Sequence, residues 1–331
     1  MSGVFKGLTL LEVKDTFKQI RPYIVKTPLI RAFQIENVID KEVYLKLEFL
    51  QPTRSFKVRG ALSKAHSLIN DRLDGFVTAS GGNHGLGLCY AGREMNVPVI
   101  VYLPKDTAKD KVEKIKYWGG NPVLFGEAWD EANLEAQKHA RNLGLTYVHP
   151  FDDIAVVRGQ GTIALEMLEE KPDLDAIVVS VGGGGLISGV GVVARQMKPE
   201  IKIFGVETVG CDAVTQSFRL GRIVTLPAIT SIAKTLGAKQ TTKTTLARIK
   251  AVVNDMQTVT DQEALEALQF LLEKEKILVE PATSCSLAAL LHNKFDLTST
   301  LKIGIVLCGA NVSIKELKKW GVLSMGKKKL G

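Results

Sequence analysis

One uncharged run, Ala176 to Ala194, constrains this chain more than any other stretch. It is about as long as a membrane span, yet six of its positions are glycine, and four of those are consecutive at Gly182-Gly183-Gly184-Gly185. Glycine costs a helix stability at every position it occupies, so the run reads as strand, loop and helix. Ala176 to Val181 has the near-continuous apolar character of a strand buried on both faces, which is found in parallel sheets whose two sides are covered by helices. Leu186 to Met197 supplies the first such helix.

The same rhythm recurs earlier. Strand candidates are Phe76–Ala79, Val97–Tyr102, Pro122–Phe125 and Leu145–Val148, with helices expected at His84–Met95, Thr107–Trp118 and Trp129–Asn142. Gly119-Gly120 and Gly144 close two of those helices. A second series has helices at Gly161–Glu170, Asp261–Lys274 and Ser284–Leu291, and strands at Ile201–Val206 and Ile303–Leu307. Leu8–Tyr23 is an opening helix, Val43–Glu48 a strand, and Arg59–Asn70 a helix. Strands alternating with helices at this spacing predict βαβ units. The expected fold class is α/β, with two open twisted parallel-sheet domains and the small one inserted in the larger. Residues 1–50 and 151–331 form the large domain, and 51–150 form the small α/β domain.

The 331 residues carry a net charge of +8, but lysine and arginine are interleaved with acids along the whole length. Without a basic stripe and stacking aromatics, no nucleic-acid partner is expected. The basic tail Lys327-Lys328-Lys329 reads as a terminus rather than a signal. Cys89, Cys211, Cys285 and Cys308 lack metal or disulfide spacing, which predicts a reducing compartment. The first twenty residues have no signal-peptide core. A cytoplasmic protein without a membrane partner is expected.

Four motifs carry chemistry. In Ser55-Phe56-Lys57-Val58-Arg59-Gly60-Ala61 the lysine sits between an aromatic residue and small residues, where desolvation lowers an amine pKa and makes it a nucleophile toward aldehydes. Ser80-Gly81-Gly82-Asn83-His84-Gly85 joins a strand to a helix at the carboxyl edge of a sheet, where ligands bind and helix amides receive an anion. Gly182–Gly185 and Leu186 form a nest of amides suited to phosphate. The loop lacks the Lys-Ser or Lys-Thr of a Walker motif, and no acidic residue follows as in a dinucleotide-binding fingerprint. Cys308-Gly309-Ala310-Asn311 ends the last apolar strand and offers a neutral partner to a ring nitrogen.

In this order the four motifs closely resemble the pyridoxal-phosphate enzymes of fold type II, the tryptophan synthase β-like fold, and within them the serine/threonine dehydratases. The resemblance runs from about Thr27 to Ser313. It includes His149-Pro150-Phe151-Asp152-Asp153, Gly159-Gln160-Gly161-Thr162, Thr230–Lys234 and Ile277–Pro281. It implies that Lys57 carries pyridoxal 5'-phosphate as an internal aldimine, with Phe56 packed on the ring and Asn83 bonded to its 3′-oxygen. It also implies that Gly182, Gly183, Gly184, Gly185 and Leu186 bind the phosphate, and that Cys308 faces the ring nitrogen. Ser80, Gly81, Asn83 and His84 would grip the substrate carboxylate. Glu207, with carbonyls of Gly182, Cys211, Leu236 and Ala238, matches a site for K+ or another monovalent cation.

The sequence departs from related patterns at three places. Gly81 stands where serine racemases carry their second proton carrier, Ala213 stands where they carry a metal-binding aspartate, and Arg54 stands where glycine is usual. The implied activity is an L-serine/L-threonine ammonia-lyase that eliminates water. The substrate amine displaces Lys57, which takes the Cα proton, the phosphate protonates the departing hydroxyl, and the released aminoacrylate hydrolyses to a 2-oxo acid and ammonia. Racemisation and β-replacement are the alternatives on the same fold. A homodimer is the family expectation.

Overall fold

A computed structural model describes residues 3–69 and 74–323. Asn70, the expected end of the Arg59 helix, and the Lys327–Lys329 tail lie outside the described residues. Among the described residues there are ten strands: β1 (Leu29–Arg31), β2 (Glu42–Lys46), β3 (Phe76–Thr78), β4 (Val99–Leu103), β5 (Asn121–Leu124), β6 (Thr146–Tyr147), β7 (Ala176–Ser180), β8 (Lys202–Thr208), β9 (Asp255–Val259) and β10 (Lys302–Val306). They form a six-stranded sheet in the order β1-β2-β10-β7-β8-β9 and a four-stranded sheet in the order β5-β4-β3-β6. All pairs are parallel except the edge pair β1–β2, with Leu29 opposite Lys46. This is the α/β class the sequence predicts, with one antiparallel edge that it did not. The larger sheet draws on chain from before and after the segment that builds the smaller one.

β7 shows why its sequence is so apolar. Ile177 and Val179 pack into the core on one face of the sheet, while Ala176 and Val178 pack into the core on the other. All four are fully buried, and each large aliphatic contributes about 1.5–3 kcal/mol by leaving water.

The helices start where their caps dictate. Asp153 accepts from the amides of Ala155 and Val156 and opens Ile154–Glu170 seven residues before the predicted start. The predicted helix began at Gly161; the structure places Gly159 inside the helix and uses it for contact. A Cβ on Gly159 would strike the backbone of Arg59 and Gly60, so this helix and Lys57–Ser67 cross at backbone distance. The predicted Asp261–Lys274 helix is α-helical only through Phe270 and continues as a π-turn over Leu271–Glu275. No helix among the described residues is long and apolar enough to cross a membrane.

Beneath the Lys57 helix lies a fully buried ion cluster. Arg59 bridges Glu48 at 2.7 Å and Glu166 at 2.8 Å, and Lys46 bridges Glu166 at 2.5 Å. Thr27 and Thr162 add hydroxyls. Burial opposes the charge on Arg59, but its two carboxylates outweigh it and raise the guanidinium pKa. Burial likewise opposes ionisation of Glu48, and Arg59 overrides it, lowering the carboxyl.

Candidate active site

Because the strands run parallel, the turns after β3, β7 and β10 emerge at carboxyl edges, the usual place for a ligand. One cavity there is lined by Phe56, Lys57, Asn83, Gly182–Leu186 and Cys308. The structure thus gathers all of the residues expected to hold the cofactor. The lysine loop is fixed to the Cys308 turn by a bridge between Ser55 and Gly309 and by the Phe56 amide donating to the Cys308 carbonyl at 3.0 Å.

Lys57 is the first residue of its helix. Its Nζ donates to the Pro150 carbonyl at 2.9 Å and lies 5.1 Å from the Phe56 ring centroid. Burial lowers its pKa to about 8, with the Cys308 sulfur pulling the other way. A free amine is therefore within reach near neutral pH.

Across the cavity, Gly182–Gly185 lead into the helix Gly185–Met197. Gly184 has φ +101°, a left-handed backbone that favours glycine, and Cβ atoms on Gly183 or Gly185 would run into Phe151. Among the described residues the amides of Gly182–Leu186 have no acceptor. A row of unpaired N–H groups at a helix start fits a phosphate, and no lysine or arginine belongs to the loop.

The Cys308 thiol is 3.1 Å from Thr283 Oγ1. Burial pushes it up to about 12, with Glu280 adding to the shift. It stays a neutral thiol, as a partner for an unprotonated ring nitrogen must. Amine, amide cradle, aromatic face and neutral thiol together fit a phosphorylated pyridine aldehyde.

The substrate loop is placed less simply. Asn83 faces the cavity, whereas Ser80, Gly81 and His84 are not part of its wall. Ser80 Oγ accepts from the Gly82 amide at 3.4 Å. The His84 ring is buried with Nε2 at 3.1 Å from the Val148 carbonyl. Burial, then the Lys57 charge, lowers its pKa to about 3, so the ring is neutral and spent on that bond. What His84 offers a carboxylate is its backbone amide in the first turn of Asn83–Glu94.

Glu207, at the end of β8, accepts from the amides of Val214 and Thr215 at the start of the next helix. Among the described residues it has no cationic side chain, and burial raises its pKa to about 8. Gly182 packs on the Leu236 backbone, since an added Cβ would lie 3.1 Å from the Leu236 carbonyl oxygen. That carbonyl already accepts the Ala238 amide, and Cys211 is buried against Ala233. Ala213 is fully buried and offers no carboxylate. Arg54 is exposed and adopts φ 61°. The backbone keeps the left-handed turn that glycine usually provides, and the side chain does not narrow the cavity.

The cavity also holds residues to which the sequence assigned no role: Phe151, Ser180, Thr235, Glu280 and Ala282. Phe151 and Glu280 sit inside motifs that carried the resemblance. Glu280 is 4% exposed. Its Oε1 accepts from Asn83 at 2.8 Å and from Thr235 at 3.0 Å, while Oε2 is buried with no partner among the described residues. Burial raises its pKa, against the donors Thr235, Asn83 and the Asn311 backbone amide.

Comparison with known proteins points to the same cofactor. The family described as pyridoxal-phosphate dependent enzyme matches residues 20–309. An L-threonine ammonia-lyase of Thermotoga maritima is 35% identical over 325 residues, covering 97% of this chain and 80% of the relative. A serine racemase of Arabidopsis thaliana is 37% identical over 314 residues, covering 93% and 94%. The structure of maize serine racemase superposes with a TM-score of 0.90 at 30% identity, covering 96% of this chain and 98% of that one.

Proposed function

The chain belongs to the pyridoxal-phosphate-dependent enzymes, and on that premise we propose that it is an L-serine/L-threonine dehydratase, a lyase giving pyruvate or 2-oxobutyrate and ammonia. One observation carries this choice. The cavity wall presents a single amine base, Lys57, and the position two before Asn83 is Gly81, which has no hydroxyl to serve the opposite face. A Cβ on Gly81 would lie 3.0 Å from Leu103 Cδ2, so the leucine side chain would have to give way by a few tenths of an ångström to admit one. Inverting a stereocentre needs a proton carrier on each face, whereas elimination needs a base on one.

When bound, pyridoxal phosphate supplies an electron sink for the bonds at Cα and a phosphate proton for a leaving hydroxyl. The chain's own residues do the rest. Lys57, with its lowered pKa, takes the Cα proton at Nζ. Phe56 would pack on the ring, and the amides of Gly182–Leu186 would hold the phosphate. Cys308, a buried neutral thiol, would leave the ring nitrogen unprotonated and make the cofactor a weaker electron sink, which suits loss of a β-hydroxyl. The amides of Asn83 and His84 and the Ser80–Gly81 turn receive the substrate carboxylate. Glu207, which has no cationic side chain among the described residues, would hold a monovalent cation.

The 1–50 and 151–331 division from 51–150, a homodimer and a cytoplasmic setting belong to the same proposal. Racemisation is the second reading, favoured by the likeness to plant serine racemases. Purified protein with L-serine or L-threonine should release 2-oxo acid well ahead of any D-enantiomer. Lys57→Ala should lose both the product and the visible cofactor band. D-serine forming without 2-oxo acid would replace dehydration by racemisation.

A further inference from the structure

Asn311 lies outside the cavity wall, yet its side chain decides which way the Asn83 amide faces. Asn311 Nδ2 donates to the Thr53 carbonyl at 2.8 Å and to Asn83 Oδ1 at 2.7 Å. A backbone carbonyl can only accept, so the Thr53 contact fixes the nitrogen of Asn311 on that side. The second hydrogen of that nitrogen then requires an oxygen from Asn83. Asn83 Nδ2 is left facing Glu280 Oε1 at 2.8 Å, with one N–H still free on a residue that lines the cavity.

The polarity therefore runs one way, from an acceptor that cannot reverse to a donor on a residue that lines the site. Gly309 closes the chain from the side: a Cβ there would lie 2.9 Å from Glu280 Oε1 and 3.2 Å from Asn83 Nδ2. The relay also spans the two sheets, because Asn83 follows β3 while Glu280 and Asn311 belong to chain around the larger sheet.

We infer that Asn311 is a positioning residue that holds the Asn83 amide with its N–H toward the ring oxygen of the bound cofactor. The inference rests on the cofactor-holding role proposed for Asn83 and is independent of which reaction follows. A donor at that oxygen favours its ionised form, whereas an amide carbonyl turned toward it favours the protonated form. The two forms absorb differently.

Asn311→Asp tests this with almost unchanged shape, because a carboxylate cannot donate to Asn83 Oδ1 and instead attracts Nδ2. The holoenzyme spectrum, recorded without amino acid, should shift from the visible band toward the near ultraviolet, with pyridoxal phosphate bound about tenfold more weakly. Asn311→Ala removes the anchor without reversing it and should give a smaller shift in the same direction. It also serves if the aspartate variant does not fold. A folded variant of either kind with a wild-type band and cofactor affinity within about twofold of wild type overturns the inference. Loss of 2-oxo acid with both unchanged would also overturn it, since Asn311 would then act after cofactor binding. Failure of wild-type protein to dehydrate serine or threonine would strike the proposed reaction and leave this spectral test standing.

Discussion

Two sets of buried carboxylates in this protein are built on opposite plans. Glu48 and Glu166 are fully buried and meet Arg59 and Lys46, two cations for two anions. Glu207 and Glu280 are buried as deeply, but among the described residues they meet only amides and hydroxyls. Burial raises the pKa of both, while Glu48 is lowered by Arg59 despite its burial. The first set is complete without any ligand and keeps the helix bearing Lys57 in place. The second has no counter-charge from the chain: Glu280 lines the cavity, and a proton, or for Glu207 the cation proposed above, would complete it. Scaffold and site thus differ in whether the chain supplies its own counter-charge.

The sharpest way to break the comparison is to remove Arg59. Arg59→Met leaves two carboxylates buried beside one lysine and should lower the unfolding free energy by about 3–5 kcal/mol, measured by urea titration. A loss under about 1 kcal/mol would show that the cluster is no scaffold.

Glu207 comes next, and its sign follows from linkage. Its folded pKa of about 8 lies above the ordinary 4.5. Between those values the folded chain binds more protons than the unfolded one, so stability falls as pH rises through that window. A bound potassium ion would offset that loss. Potassium in place of tetramethylammonium should therefore raise Tm more at pH 8 than at pH 5, and an equal rise at both would remove the cation from Glu207. The smallest effect is expected at Glu280. Glu280→Gln should change stability by less than about 1 kcal/mol, because a carbonyl oxygen can still accept from Asn83 and Thr235 and no cation loses its partner. A cost near that of Arg59→Met would erase the distinction between the two sets.

What the sequence made legible follows the same divide between local and distant contacts. Lys57, the glycine loop and the Cys308 turn are local: each is a short pattern whose backbone chemistry can be read without knowing its neighbours. β1 and β9 went unread. Three residues in β1, and the polar Asp255 and Gln257 of β9, give little apolar alternation at a sheet edge. The start of the Ile154–Glu170 helix was hidden by Gly159, whose purpose is a contact with Gly60 far away in sequence. Arg59 was visible only as a charged residue after the lysine, since its partner Glu166 is 107 positions distant. Glu280 and Asn311 were quoted inside motifs, but the direction of their hydrogen bonds exists only once β3 and β10 bring their turns together.

The position of β10 has a consequence for how the protein is made. β10 lies between β2 and β7, pairing Lys302 with Glu42 and Ile303 with Ala176. A nascent chain that has released β2 must therefore wait for about 260 more residues, roughly 13–50 s of synthesis, before that strand gains its parallel neighbour. The four-stranded sheet has no such delay, because its strands all fall between Phe76 and Tyr147. On the ribosome the inserted unit can fold first, while the larger sheet stays open along its middle. The walls carrying Lys57 and Cys308 then meet only after β10 has been made, so a chain cut short of β10 would be unable to capture its cofactor.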